Sequence, residues 1–279
     1  MRNEMLKTIR VSGFKSLEDF DLEFRPGLNV IVGPNGAGKT NIINFLEFLS
    51  YLSRGSLLDA VSRSGGAGSI FRRQTSYKLQ RRISFTLSGA GRFRDIRRPQ
   101  EDYVIYEYAA KIALANNNSS IVFENQRIKI SAASLPEDEK SSTLTDWDVD
   151  IEFLYKSDAK ADVEIVWHKL TQDLITERVG PRKRESISES KGRIKEALDE
   201  RANYSVYQSL GRFIRPCRII SRDLLSAKSF NISPSAVRQP EDIASEPEIA
   251  SNGGGLAATM FKLKNAPRSG LHPVLLTPA

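Results

Sequence analysis

Apolar and polar positions divide the first fifty residues into three short strands and one helix. A strand is predicted over residues 6–12, and the alternation over residues 20–24 is typical of a half-buried strand. After a Pro-Gly turn, the mostly apolar run 28–32 favours a strand buried on both faces. From Lys39 onward, a broad apolar side predicts a helix that docks on a sheet.

Between residues 79 and 169 the pattern changes to that of antiparallel strands. The predicted strands and hairpin partners are residues 83–87, 103–114 with 121–130, and 147–155 with 163–167. The alternation leaves one face of this meander wet. Within it, the run Leu87 to Gly91 reads LSGAG, and we interpret it as a hairpin turn.

The last third of the chain is less regular. Residues 182–214 are charged and predict helices with loop breaks, and Ile219-Ile220 predicts a short strand. Residues 231–255 are expected to be loop, and the pattern from Gly255 to Lys264 indicates the start of a helix.

We predict four segments from these changes of pattern. They are a P-loop lobe over 1–72, an antiparallel β-meander over 73–170, a charged helical segment over 171–230, and a loop with the start of a further lobe over 231–279.

Composition excludes several kinds of protein. Cys217 is the single cysteine, which excludes a disulfide framework and a cysteine-rich metal site, and two histidines argue against a histidine-based metal cluster. No apolar run reaches about 18 residues, so no membrane span is predicted. The first residues lack the apolar core of a signal peptide. We therefore expect a cytoplasmic protein that has no membrane partner.

Positive charge is concentrated in one window. The chain carries a formal net charge of +7, and residues 72–98 hold nine basic residues against one acid, Asp95. The arginines that could contact nucleic acid are Arg72, Arg73, Arg81, Arg82, Arg92, Arg94, Arg97 and Arg98. The alternative is a solvated charged face, which is the commoner role of such runs.

One motif carries recognisable chemistry. Gly33-Pro34-Asn35-Gly36-Ala37-Gly38-Lys39-Thr40 fits GxxxxGK[ST] and lies between a predicted strand and a helix. Glycines let the backbone N–H groups point inward around an anion, and the helix N-terminus adds a positive dipole end. Lys39 can reach the β- and γ-phosphates and the Thr40 hydroxyl can ligate Mg²⁺, so the predicted cofactors are ATP and Mg²⁺.

The surrounding residues extend the motif to a family resemblance. The stretches GFKSLEDFDLEF, PGLNVIVG and GPNGAGKTN resemble the heads of RecF/SMC/OLD-type ATPases, an ABC-class group. The resemblance implies an α/β P-loop NTPase, the first lobe of an ABC-ATPase-like head, with a mixed sheet, an antiparallel insertion and a helical segment. It also implies that Asn41 begins the helix, and that Lys15 and Ser16 contact the nucleotide. The alternative for Lys15 is a solvated turn lysine.

Two parts of such an ATPase are missing from the sequence, and a third cannot be assigned to one residue. We find neither a Walker B run nor a signature loop, and the Q-loop glutamine has five candidates: Gln74, Gln126, Gln172, Gln208 and Gln239. We therefore expect the N-terminal part of a longer ATPase that binds ATP, hydrolyses it poorly by itself, and completes its site in a homodimer.

Two functions follow from the resemblance. The first is an ATP-binding and ATP-hydrolysing head that acts with DNA or RNA, in DNA repair or anti-phage defence, with Lys39 and Thr40 as its catalytic residues. The alternative is a non-catalytic ATP-binding module that acts through a partner. The long β insertion and the absence of an LSGGQ run argue against a transporter ATPase.

Overall fold

The computed structural model describes residues 5–75, 78–94, 101–115, 120–133, 148–155, 163–170, 187–225, 230–241 and 249–265. Arg97, Arg98, Gln172 and the chain after Asn265 lie outside these ranges, as does the Gln74 side chain. The chain forms two compact units, Met1–Ala227 and Lys228–Ala279.

Nine strands and eight helices are formed by the described residues. The strands are β1 Met5–Ser12, β2 Phe20–Glu23, β3 Arg73–Thr75, β4 Lys78–Leu79, β5 Arg82–Arg94, β6 Glu101–Leu114, β7 Ile121–Ala133, β8 Asp148–Tyr155 and β9 Val163–Leu170. The helices are α1 Lys39–Arg54, α2 Leu57–Arg63, α3 Ala67–Ile70, α4 Ile187–Asp199, α5 Val206–Leu210, α6 Arg218–Leu225, α7 Pro234–Val237 and α8 Leu256–Asn265.

The first unit is built on a seven-stranded sheet in the order β2-β1-β5-β6-β7-β8-β9, in which each of these neighbours pairs antiparallel. The predicted hairpins β6/β7 and β8/β9 are confirmed. One cross-strand row shows how the alternation builds the core, since its members are directly opposite in register and all are at most 1% exposed. The row is Ile9, Leu87, Tyr108, Ile128 and Ile151.

The interpretation of residues 87–91 as a turn is wrong. These residues lie inside β5 and pair with β6 from Leu87 opposite Tyr108 to Gly91 opposite Val104. Gly89 faces Tyr106, and a Cβ at Gly89 would lie 2.3 Å from the Tyr106 hydroxyl oxygen. The small residues that suggested a turn instead make room for a buried aromatic ring on the next strand.

The strand predicted over residues 28–32 is not formed. This stretch runs from Leu28 to Val32 outside any strand, with Leu28 90% and Val32 84% exposed. A strand that is apolar on both faces needs a neighbour on each edge and cover on each face. The described residues provide no strand partner for this segment, so its pattern alone cannot make it a strand.

Helix α1 docks on the sheet as its apolar side predicts. Phe45 and Phe48 are buried, and the Phe45 ring meets that of Phe85 on β5 edge-on, with centroids 5.6 Å apart. The Phe14 ring, from the turn after β1, contacts the Phe45 ring at 5.1 Å. These contacts fix the helix against β5 and the turn after β1, and with it the loop that precedes the helix.

The short strand predicted at Ile219-Ile220 is wrong, because both residues lie in α6. Pro216 lies in the 3-10 turn Arg215–Cys217 that leads into this helix. Ile219, Ile220 and Leu224 are buried against the core. β-branched residues favour strands locally, but packing of one apolar helix side overrides that preference here.

The second unit contains α7 and α8. The helix predicted after Gly255 is confirmed as α8, and α7 is a short helix within the stretch expected to be loop. The Glu241 carboxylate accepts hydrogen bonds from the backbone N–H groups of Gly255 and Ala258, at 2.6 and 2.7 Å. A carboxylate in this place satisfies free donors of the first turn and favours the helix start.

Across the described residues, none of the helices is long and apolar enough to cross a membrane.

Candidate nucleotide-binding site

The GxxxxGK[ST] loop leads directly into α1, which begins at Lys39. Gly36 and Gly38 have φ of 84° and 88°, left-handed values that favour glycine. Gly36 lies in a tight turn that the Ala37 N–H closes by donating to the Pro34 carbonyl. Gly38 is the second glycine of the GxxxxGK[ST] motif, and Gly36 stands at one of its variable positions; both are places where the loop needs a left-handed backbone.

The loop leaves a set of backbone donors available. Within the described residues, the N–H groups of Gly36, Gly38, Lys39 and Thr40 donate to no backbone carbonyl. The first turn of α1 contains no acidic residue, and its N-cap, Gly38, makes no side-chain hydrogen bond. Unfilled donors at a helix N-terminus, reinforced by the helix dipole, suit a phosphate group.

Lys39 places a cation at this loop. Its Nζ donates to the carbonyl oxygens of Gly33 and Pro34, both at 2.8 Å. The chain therefore folds its own carbonyls around the ammonium group, so a phosphate would have to replace these contacts with stronger charge-assisted ones.

Thr40 is exposed at the start of α1, where its hydroxyl can ligate a metal ion. Among the residues that the structure describes, no group of three or more His, Cys, Asp or Glu side chains could hold one. Mg²⁺ in nucleotide sites is bound largely by phosphate oxygens and water, with few protein ligands. The described residues fit that arrangement with Thr40 as the protein ligand.

The turn after β1 adjoins the loop. Asn41 Nδ2 donates to Ser16 Oγ at 2.7 Å, and a Cβ at Gly38 would lie 2.9 Å from the same oxygen. Lys15 has a φ of 49°, an unfavourable value for a residue with a side chain, and its N–H donates to the Ile70 carbonyl at 2.8 Å. The structure thus brings Ser16 and Asn41 together with the loop, and holds Lys15 at the neighbouring position.

The basic window is divided between the two ends of β5. At the end that begins with Arg82, Arg82 pairs with Glu124, Arg72 pairs with Glu18, and Arg81 donates to the Ala115 carbonyl. Arg92 and Arg94 lie at the other end, ten and twelve residues beyond Arg82. At about 3.3 Å per residue this separates them from Arg82 by about 33 and 40 Å. A window that is continuous in sequence is therefore not one surface.

Two of the candidate Q-loop glutamines have structural roles. Gln208 donates to the carbonyls of Leu52 and Gly55 at the end of α1, at 2.7 and 3.2 Å. Gln126 is fully buried: its Oε1 accepts from the Tyr108 hydroxyl at 2.6 Å and its Nε2 donates to the Tyr155 hydroxyl at 2.6 Å. Gln239 lies exposed in the second unit.

Gln126 joins the sheet to the helices, which the sequence analysis missed. Its Oε1 also accepts from the Val206 N–H, and its Nε2 donates to the Tyr204 carbonyl. The signal was present in the pattern, since Gln126 shares the inward face of β7 with Ile128 and Ile130. A polar residue at an inward position must find buried partners.

Residues 8–214, which include the loop, α1 and the seven-stranded sheet, match the profile of the AAA domain family. The chain belongs to this AAA domain family. The predicted α/β P-loop NTPase fold is thereby confirmed, with the difference that the described strands of the large sheet pair antiparallel.

Individual relatives of this AAA domain protein match shorter stretches. The DNA replication and repair protein RecF of Corynebacterium jeikeium is 44% identical over 48 residues, 17% of this chain and 11% of RecF. The OLD nuclease of Thermus scotoductus is 51% identical over 45 residues, 16% of this chain and 8% of that protein. The Rad50 ATPase of Methanopyrus kandleri, named for DNA double-strand break repair, is 33% identical over 61 residues, 22% of this chain and 7% of Rad50.

These names confirm the resemblance to RecF/SMC/OLD-type ATPases. The matched stretches span about a tenth of the length of the relatives. A solved SMC ATPase chain superposes with a TM-score of 0.26 at 20% identity, over 43% of this chain and 68% of that chain, which is too distant to compare architectures.

Proposed function

We propose that this AAA domain chain is the ATP-binding head of a RecF/SMC/OLD-like ATPase that acts with nucleic acid in the cytoplasm, in DNA repair or anti-phage defence. The observation that carries the proposal is the loop at the start of α1. Four of its N–H groups donate to no backbone carbonyl among the described residues, and the Lys39 ammonium lies at the loop's own carbonyls. In this proposal residues 33–41 bind the phosphates, Thr40 ligates Mg²⁺, and Lys15 and Ser16 contact the nucleotide from the adjoining turn.

The relatives support the nucleic-acid part of this proposal. RecF and Rad50 carry names that describe DNA repair, and the OLD relative is named a nuclease. We propose that the head pairs with a second copy of itself when ATP is bound.

Hydrolysis by this chain alone is proposed to be slow. Transfer of the γ-phosphoryl group needs neutralisation of charge at that phosphate and an oriented water molecule. The first turn of α1 contains no carboxylate, and the described residues hold no acidic cluster suited to a metal. A missing metal carboxylate and base cost several kcal/mol of barrier, and each 1.4 kcal/mol is about tenfold in rate.

The test of nucleotide binding is a titration of the chain with ATP and Mg²⁺ by calorimetry. Lys39→Ala removes the loop cation, and we expect binding to weaken by at least about tenfold, since charge-assisted contacts are worth about 1.5–3 kcal/mol. Lys111→Ala, an exposed lysine of β6, is the control and should bind as the parent chain does. Equal affinity of Lys39→Ala and the parent chain would refute the assignment of the loop.

The alternative, a non-catalytic ATP-binding module, is favoured by one observation. The exposed apolar stretch from Leu28 to Val32 leads straight into the loop of residues 33–40, which we call the phosphate loop. The site therefore adjoins an apolar segment that a partner protein could cover. Release of inorganic phosphate separates the two functions. Turnover per chain that is slow but rises with protein concentration supports a dimeric ATPase, and ATP binding with no detectable turnover at any concentration supports the module.

A further inference from the structure

The last strand of the large sheet, β9, stands at an edge. It ends the order β2-β1-β5-β6-β7-β8-β9, and among the described strands it pairs with β8 alone. An edge strand presents a row of backbone N–H and C=O groups that no neighbouring strand fills. What can bind at this edge depends on which of its groups point outward.

Contacts from α4 identify the outward groups of β9. The Val163 N–H donates to Asp199 Oδ1 at 3.1 Å, and the Val163 carbonyl accepts from Lys195 Nζ at 3.2 Å, so both point away from β8. The register of β9 on β8 is unbroken from Val163 to Trp167. Because antiparallel residues alternate between facing their partner strand and facing away, the backbone groups of Ile165 and Trp167 also point away. In the described part of the chain, no hydrogen bond fills these groups.

A groove runs between this edge and α4. Its volume is about 420 Å³, and its lining includes Ile165 and Trp167 of the strand and Lys191, Gly192 and Lys195 of the helix. Ile165 and Trp167 are half-buried and pack against the core, so the strand side of the groove is apolar. Ligand sites in proteins have volumes of about 300–1,000 Å³, so the groove can hold a short piece of another molecule.

Gly192 adds room to the groove. It lies inside α4, where a glycine is about 1 kcal/mol less favourable than an alanine, and its φ is not left-handed. A Cβ at this position would meet no atom within 4 Å. Neither backbone strain nor close packing therefore requires a glycine here, and the missing side chain leaves space beside β9.

Lys191 places a cation in the groove. Its Nζ lies 4.8 Å from the centroid of the Trp167 ring, and none of the described acidic residues forms an ion pair with it. Lys195 differs, since its Nζ lies 3.3 Å from Asp199 Oδ2. The acidic residue in the lining is Glu164, which is exposed. A carboxylate that binds beside Trp167 would therefore form an ion pair with Lys191.

We propose that β9 and α4 bind an extended acidic–x–apolar segment of a partner protein, which pairs antiparallel with β9. Two residues of the segment then lie directly opposite Trp167 and Ile165, and each exchanges two hydrogen bonds with its partner. Directly opposite residues point to the same face of the sheet. The first side chain thus reaches Lys191 beside Trp167, which suits an acid, and the second packs on Ile165, which suits an apolar residue. This is strand addition at a sheet edge.

The bound segment is short. Asp199 and Lys195 already fill the backbone groups of Val163, so a partner strand can pair only beyond that residue. With few backbone hydrogen bonds available, the acid and the apolar residue decide which segments bind. The inference goes beyond the proposed function, because the groove contains no residue of the phosphate loop, and it stands whether or not that loop binds ATP.

The experiment is a fluorescence-anisotropy titration of a labelled peptide with the full 279-residue chain. The probe is fluorescein-GSTTETLTTSG-amide, in which the glutamate and the leucine are two positions apart, and we expect saturable binding with a Kd below about 300 μM. The same peptide methylated on the backbone nitrogens of those two residues cannot donate to the carbonyls of Trp167 and Ile165. It should bind at least about tenfold more weakly.

One pair of variants tests the groove itself. Gly192→Leu puts a side chain into the groove and should weaken peptide binding at least about tenfold. The melting temperature should stay the same or rise, because leucine favours a helix more than glycine does. Gly68→Leu is the matched control, since Gly68 also lies in a helix and a Cβ there also meets no atom within 4 Å. It should bind the peptide as the parent chain does.

Exchange of charge tests the acidic position. The parent chain should bind the glutamate peptide at least about fivefold more tightly than a peptide with lysine in that place. Lys191→Glu should reverse this preference, and a folding defect cannot produce a reversal. In the parent chain the preference should shrink as NaCl rises from 50 to 300 mM, because salt screens charges that are partly exposed.

Several outcomes overturn the inference. One is the absence of saturable binding by the parent chain, whether the groove stays empty or is filled by another part of the chain. Others are equal binding of the methylated peptide, and equal binding by Gly192→Leu and Gly68→Leu, which would mean that the peptide binds elsewhere. The last is an unchanged preference for the glutamate peptide in Lys191→Glu.

Discussion

The seven-stranded sheet and the segment that leads into the phosphate loop are built from similar apolar residues, yet only the sheet is packed. Leu87 is fully buried in β5, in a row that crosses the sheet, whereas Leu28 is 90% exposed. The sheet strands hydrogen-bond to one another, and the backbone from Val30 to Val32 makes no hydrogen bond to the described residues. The difference shows that an apolar run becomes a buried strand only where neighbouring strands and helices pair with it and cover it.

The largest expected effect compares the two leucines directly. Leu87→Ala should lower the free energy of unfolding by about 2–5 kcal/mol, because it leaves a cavity in the sheet core. Leu28→Ala should change it by less than about 0.5 kcal/mol, because the side chain is already in water. Urea denaturation of the two variants measures both values, and similar losses would mean that Leu28 is packed in solution.

The next effect tests the buried amide that ties the sheet to the helices. Gln126→Leu leaves the hydroxyls of Tyr108 and Tyr155 and the Val206 N–H without this partner, and should cost about 2–3 kcal/mol of unfolding free energy. Gln239→Leu, an exposed position in the second unit, is the matched control. If both variants unfold at the same urea concentration, Gln126 does not join these elements.

A smaller loss of stability is expected at high pH, and it comes from tyrosines buried in the core. Burial raises the pKa of the Tyr207 hydroxyl to about 12, and burial also raises the pKa values of Tyr106, Tyr108 and Tyr155. In the unfolded chain these groups ionise near pH 10, so the unfolded state loses its protons first. The free energy of unfolding is therefore unaffected by these tyrosines below about pH 10. It falls as pH rises above 10, because the tyrosines ionise in the unfolded chain and stay neutral in the folded one.

The expected slope is up to about 1.4 kcal/mol per pH unit for each buried tyrosine. Urea midpoints at pH 8, 9.5 and 10.5 measure it by tryptophan fluorescence. Tyr207→Phe should reduce this slope by the contribution of one tyrosine. An unchanged slope would mean that Tyr207 does not stay neutral in the folded chain.

The smallest effect concerns the charged face of the sheet. Arg127 Nε and Nη2 donate to the two oxygens of Asp150, both at 2.8 Å, and these bonds lower the pKa of the Asp150 carboxyl. Because the folded pKa lies below the unfolded value near 3.9, the contribution is present above about pH 4 and is lost as pH falls through the folded pKa.

Arg127→Met should therefore cost about 0.5–1 kcal/mol at pH 7, as partly exposed ion pairs do, and less at pH 3. Lys111→Met, an exposed lysine on the neighbouring strand, is the control. An equal loss at both pH values would show that Arg127 acts through packing and not through its charge.

Local chemistry explains which features could be predicted from the sequence. The loop from Gly33 to Thr40, the start of α1 at Lys39 and the β6/β7 hairpin depend on residues close together in the chain, and the structure forms each of them. The turn assigned to residues 87–91 failed because glycine favours turns locally, whereas Gly89 here accommodates the ring of Tyr106 on another strand. The strand predicted at Ile219-Ile220 is wrong for the same reason, because packing against the core stabilises a helix there.

Sequence by itself determined the GxxxxGK[ST] loop, the main helix and the alternation that builds the sheet, because these follow from residue type and spacing over a few positions. Tertiary structure alone decided that Gln126 joins the sheet to the helices, that the basic window separates to opposite ends of β5, and that Arg222 of α6 donates to the Arg92 carbonyl. The contacts of Gln126 and Arg222 join residues up to 130 positions apart, and spacing along the chain does not carry that information.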